Sequence, residues 1–254
     1  MSAPALARTG RATVWAASWF AVGVTLVPAL LPYSRVWATG AGVACALACA
    51  RHARLGWTLA AYAAPSVLGA PWPVHCFTAA AVWFALARRD GFGVRLPPRS
   101  VAPRPLDVAL CLALGLTSGA IVVWLDWSRI VANGFSFPQN TPPVWLLGVG
   151  VLVLAIVNAV GEELIWRVAL VLEQPWNSLL ALYAIQAITF GLAHWNGIPR
   201  GATGVMAAAV YSALLYAIAR RYGPWMATLT HIVTDVVIFA MIAANASFLT
   251  FGFA

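Results

Sequence analysis

Long apolar runs make up most of the chain, and Arg, Pro and Gly punctuate them. The runs at about 13–32, 36–50, 106–126, 143–172, 176–195, 202–219 and 224–245 are continuous in apolar character. A hydrocarbon core of about 30 Å needs roughly 20 helical residues, so these runs predict membrane-spanning helices. The stretch 55–87 is too long for one crossing; Pro65, Pro71 and Pro73 break it, which predicts two short spans with a turn near Gly69–Pro73. A β-barrel would show short alternating strands, and the pattern excludes it. The expected fold is all-α: a polytopic membrane helical bundle of about 8–9 transmembrane helices, eight if 55–87 forms a single tilted span.

Composition agrees. The chain is 62% hydrophobic and 9% charged, against about 25% charged in soluble domains. The net charge of +8 comes entirely from Arg, with no Lys. Arg richness without Lys, alongside abundant Ala and Gly, points to a GC-rich genome and so to a bacterial plasma membrane. The Arg residues cluster at the ends of apolar runs and read as topology signals, so no nucleic-acid partner is expected. The linker 88–105 holds Arg88, Arg89, Arg95, Arg99 and Arg104 with four prolines, and it is assigned to the cytoplasm. Arg8, Arg11, Arg51, Arg54, Arg220 and Arg221 fall on the same side, against Arg35, Arg129 and Arg200 outside, which puts the N-terminus in the cytoplasm. The run from Val14 to Leu31 is too long for the apolar core of a signal peptide and reads as a first span. Cys45, Cys49, Cys76 and Cys111 lie in apolar runs and suggest neither a disulfide framework nor a zinc site. Gly115 and Gly119 form a G-x-x-x-G pattern that reads as close helix packing rather than a dimer face.

The chemistry is concentrated in the last third. Of seven acidic residues only Glu162, Glu163 and Asp235 fall within apolar runs. A charge at the centre of a membrane helix costs about 2.5–3.5 kcal/mol on insertion scales, and three charges within Glu162–Arg167 need a function or a partner. Helical spacing sorts them. Glu163 and Arg167 are i, i+4 with the acid first, the favourable order, and can neutralise each other. Glu162 is turned about 100° away and is left as the free carboxylate. His231 and Asp235 are again i, i+4, so Asp235 can fix the imidazole tautomer. Phe190 and His194 share the same spacing. A carboxylate with two imidazoles in a low-dielectric cavity can activate water and stabilise an oxyanion, or it can ligate a metal such as zinc. Each pair alone also reads as structural. Two adjacent carboxylates in one span have little structural use.

In order along the chain, E-E-x-x-x-R at Glu162–Arg167, F-x-x-x-H at Phe190–His194 and H-x-x-x-D at His231–Asp235 resemble the CPBP family, the CAAX-protease and bacteriocin-processing membrane proteins also called Abi. The resemblance spans about 143–245. It implies accessory helices and a linker over 1–105 and an intramembrane protease core over 106–254. It implies hydrolysis of a peptide bond in a peptide or membrane-protein substrate, with Glu162 activating water. Glu163 and Arg167 would then be its supporting pair, His194 would assist, and His231 with Asp235 would stabilise the oxyanion or orient the site. A metal-free mechanism needing no cofactor is favoured, although family members are often labelled metalloproteases. Two departures stand out. Trp166-Arg167-Val168 replaces the usual Phe-Arg-Gly, and Asp235 stands where Asn is also common.

Two alternatives remain at the level of sequence: a non-catalytic membrane scaffold or immunity-type protein with the same fold, and a transporter or proton relay. Straight crossings would also leave the site residues at different depths, with His231 about 10 Å inside the cytoplasmic face, Glu162 deeper and His194 towards the far side. Convergence then requires a long, tilted or kinked helix at 143–172, with Gly161 as a candidate kink, or a break near Gly191.

Overall fold

The computed structural model describes residues 57–58, 61–62, 64–65, 74–89, 101–127, 143–173, 179–195 and 197–251. The expected spans at 13–32 and 36–50, the turn near Gly69–Pro73, most of the loop 127–143, and Cys45 and Cys49 lie outside the described residues. Among the described residues every regular element is helical. They are α1 (Val74–Arg89), α2 (Pro105–Leu125), α3 (Val144–Glu163), a π-helical turn (Leu164–Ala169), α4 (Leu170–Glu173), α5 (Leu179–Ala193), α6 (Gly201–Tyr222) and α7 (Pro224–Phe251). Among the described residues, four stretches are long and apolar enough to cross a membrane: Pro105–Leu125, Val144–Ala169, Gly201–Tyr222 and Pro224–Ala244. Helix α5 is apolar but shorter.

The boundaries follow local chemistry. Helix α2 starts at Pro105, where a missing N–H is harmless, and Asp107 accepts from the Arg104 backbone N–H at 2.9 Å and from its side chain at 3.3 Å. Helices α6 and α7 are separated by Gly223 alone, at φ +94°, a conformation that favours glycine, and Pro224 opens α7.

Helix α7 is the central post. On one side it packs parallel to α2. A side chain at Gly115 would meet the Thr230 carbonyl at 2.6 Å, and one at Gly119 the Val237 Cβ at 2.7 Å and the Thr234 carbonyl at 2.8 Å. The G-x-x-x-G pattern is therefore an intramolecular seam. Antiparallel to α7 runs α3, with Asn158 opposite Asp235 and Glu163 opposite His231. Helices α5 and α6 form a hairpin, with Gly191 against the Val205 carbonyl. Helix α1 supports the π-helical turn through Trp83, which packs with Val168 and Ala169. The outward faces remain apolar, for example Leu110, Trp124, Val153, Leu180 and Val210, as lipid contact requires.

Gly161 is not the kink. It lies in regular α-helix, where a side chain would meet Cys76 and Phe77 of α1 at 3.1–3.4 Å. Gly191 does not break α5 either. The irregularity begins three residues after Gly161, as the π-helical turn. Replacing Gly119 by Val should force α2 off α7 and lower stability by about 1–3 kcal/mol, read as a fall in the thermal unfolding midpoint in detergent micelles.

Candidate active site

Asn158 and Glu162 are i, i+4 on α3, as are His231 and Asp235 on α7. Antiparallel packing lays these two pairs against each other. Asn158 donates to Asp235 at 3.0 Å, and Glu162 Oε2 stands 3.6 Å from His231 Nε2. His194, one residue past the end of α5, brings its Nε2 to 3.9 Å from the same oxygen. All six residues singled out by the sequence thus converge at one place, and the depth conflict disappears. Glu162, eleven residues before the end of α4, and His231, seven residues after the start of α7, both lie about 10–16 Å from the same end of the bundle.

The charges are almost fully enclosed. Glu162, Glu163 and Arg167 are 0%, 2% and 1% exposed. As the i, i+4 spacing predicts, Arg167 Nε pairs with Glu163 Oε2 at 3.1 Å. The other Glu163 oxygen accepts from His231 Nδ1 at 2.9 Å. This revises one expectation: the partner that orients the His231 ring is Glu163, whereas Asp235 lies 3.7 Å from Nε2, beyond hydrogen-bond length. Because a carboxylate can only accept, Nδ1 carries the proton and Nε2 faces Glu162 and Asp235. By the same logic His194 Nδ1 donates to the Phe190 carbonyl at 2.8 Å, so in the neutral ring Nε2 presents a lone pair towards Glu162. The Phe190 ring holds both groups around it, with His194 at 4.4 Å between centroids and Arg167 at 4.8 Å above its face.

Glu162 is the exception. Neither of its carboxylate oxygens has a hydrogen-bond partner among the described residues. Its neighbours stand at 3.6 and 3.9 Å, too far for direct bonds and near enough to share a small molecule between them. An open cavity of about 610 Å³ lies between α2 and α6 over α7, and His194, His231 and Asp235 form part of its wall. Glu162 sits behind the two imidazoles. The rest of the wall is largely apolar, and exposed Ile121, Met206 and Val210 line its outer part. Among the described residues no group of three His, Cys, Asp or Glu side chains is spaced to hold a metal ion.

Several participants escape a search confined to charged residues. Asn158, Gln186, Thr189 and Ser212 are all buried. Gln186 donates to the Trp166 carbonyl, Trp166 Nε1 donates to Thr189 at 3.2 Å, and Arg167 Nη2 donates to Ser212 Oγ at 3.3 Å. Their signal was present as uncharged polar residues inside apolar runs, Asn158 one turn before Glu162. The departure at Trp166-Arg167-Val168 also has a physical counterpart: Val168 fills space beside Trp83, and Trp166 meets Tyr62 edge-on at 5.5 Å.

Removing one member of a buried ion pair leaves the other uncompensated, at about 3–5 kcal/mol. Arg167→Met should therefore destabilise the fold by that order, and adding Glu163→Gln should restore part of the loss. Thermal unfolding of the single and double variants in detergent checks this.

No curated protein and no solved structure matches the chain. Residues 143–237 match the family described as type II CAAX prenyl endopeptidase, Rce1-like. This is the CPBP/CAAX protease family that the three motifs resemble, and all six candidate side chains lie within the matched segment.

Proposed function

We propose that the protein is an intramembrane endopeptidase of CAAX-protease type in which Glu162 activates the attacking water. The observation that carries this reading is a fully buried carboxylate with no hydrogen-bond partner among the described residues, faced by two imidazole nitrogens at 3.6 and 3.9 Å. A water seated among these three groups gives one proton to Glu162, while the lone pair of His194 Nε2 accepts from its other O–H. Two acceptors on one water raise its nucleophilicity towards a carbonyl. As the oxygen attacks, charge develops on the former carbonyl oxygen. His231, taken as the imidazolium between the Glu163 and Asp235 carboxylates, keeps Nδ1–H on Glu163 and presents Nε2–H from the cavity wall to that oxygen. Asp235, itself held by Asn158, stands 3.7 Å from Nε2 and balances the positive charge of that ring. Glu162 then returns its proton to the leaving amine, and the peptide bond is broken with one water consumed. No step requires a metal ion or other cofactor.

The apolar cavity between α2 and α6 supplies the approach for a peptide or membrane-protein substrate. Arg88, Arg89, Arg104, Arg220 and Arg221 flank helix ends, and Val101 N–H donates to the Arg221 carbonyl at 3.0 Å, which joins two of these basic segments. By the positive-inside rule that end is cytoplasmic, in a bacterial plasma membrane with a cytoplasmic N-terminus.

General-base catalysis contributes about 10²–10⁴-fold. Glu162→Gln should lower turnover by that order while the protein still folds. The measurement is cleavage, in proteoliposomes, of internally quenched peptides with and without a prenylated cysteine. A Glu162→Gln protein that cleaves at the wild-type rate would sink the reading.

A further inference from the structure

Ser212 lies on α6, outside all three motifs, and it is fully buried. Its hydroxyl proton is committed: Oγ donates to the Gln186 carbonyl on α5 at 3.0 Å. That fixes the rotamer and turns an oxygen lone pair towards Arg167, whose Nη2 donates to Ser212 Oγ at 3.3 Å and to the Ser212 carbonyl at 3.4 Å. Gln186 closes the arrangement, since its side chain donates to the carbonyl of Trp166, the residue before Arg167. The guanidinium is thus oriented from both sides. From Arg167 the contacts continue through one carboxylate: Nε to Glu163 Oε2 at 3.1 Å, and Glu163 Oε1 to His231 Nδ1 at 2.9 Å.

We infer that Ser212 is a positioning residue for the site, acting through Arg167 and Glu163 to set the orientation of His231, with Gln186 as its anchor on α5. A carboxylate has two oxygens in one plane. If the guanidinium turns, the Glu163 plane turns with it, and the bond to His231 lengthens or bends. A hydrogen bond loses strength steeply once its angle departs from linear. The Ser212 carbonyl cannot replace the hydroxyl, because it lies within α6 and at 3.4 Å is the weaker of the two acceptors. Phe190 continues to hold the guanidinium over its ring, so loss of the hydroxyl changes orientation without expelling the charge.

The inference rests on the reading of Glu162, His194 and His231 as a hydrolytic site, so its test has an arm that needs no substrate. The full chain, labelled with ¹⁵N-histidine and held in nanodiscs, gives a ¹H–¹⁵N spectrum in which His231 is assigned by its loss in His231→Gln. Ser212→Ala should shift the His231 Nδ1–H resonance. It should also lower kcat about tenfold on the quenched peptides with KM unchanged, the scale of one hydrogen bond to a charged group. Ser212→Thr, which keeps the hydroxyl, should restore the resonance position and kcat per folded molecule, with the folded fraction taken from thermal unfolding. A folded Ser212→Ala protein whose His231 resonance does not move overturns the inference, whatever its activity. A wild-type protein that cleaves no peptide defeats the protease reading alone, and the spectrum still decides the role of Ser212.

Discussion

One carboxylate governs the interior of this bundle. Glu163 divides its two oxygens between Arg167 and His231, and so ties the π-helical turn after α3 to the first third of α7. Three acids and a guanidinium enclosed among apolar helices are tolerable only when their charges are balanced at close range. Arg167 and His231 do this for Glu163, and Asn158 with His231 does it for Asp235. Glu162 stands alone in lacking a hydrogen bond among these acids, and the contrast sets it apart from the two carboxylates that other side chains hold in place.

The backbone serves that balance. Small residues allow close approach where the site needs it: Gly115 and Gly119 bring α2 onto α7, and Gly191 brings α5 onto α6. A π-helical turn starts directly after the paired glutamates. Such turns widen the helix and free backbone groups, and they recur at functional positions. Here the Trp166 carbonyl in that turn is taken up by Gln186, and Arg167 leaves the turn towards α6.

Much of this was legible in the residues. Continuous apolar runs give helices, and spacing of four gives the pairs Glu163–Arg167, Phe190–His194 and His231–Asp235. Depth was not legible, because rise per residue along straight helices carries no information on how helices lean or where a π-turn shifts the register. Nor was the partner of His231 Nδ1. Spacing within one helix favours Asp235, but contact between helices assigns that nitrogen to Glu163, from 68 residues away. The uncharged members, Asn158, Gln186 and Ser212, were hidden for another reason: a lone amide or hydroxyl in an apolar helix has many uses, and only its neighbours say which one applies.

The packing of α1 carries a consequence for how this architecture can vary. Trp83 is fully buried against Val168 and Ala169, and Tyr62 lies edge-on to Trp166, so the wall behind the Glu162–Arg167 motif is built by residues outside the matched segment 143–237. The segment is therefore not a portable cassette. Volume added in the motif, as Trp166 and Val168 add it, must be accommodated in the upstream helices, so the two parts of the chain are constrained to change together.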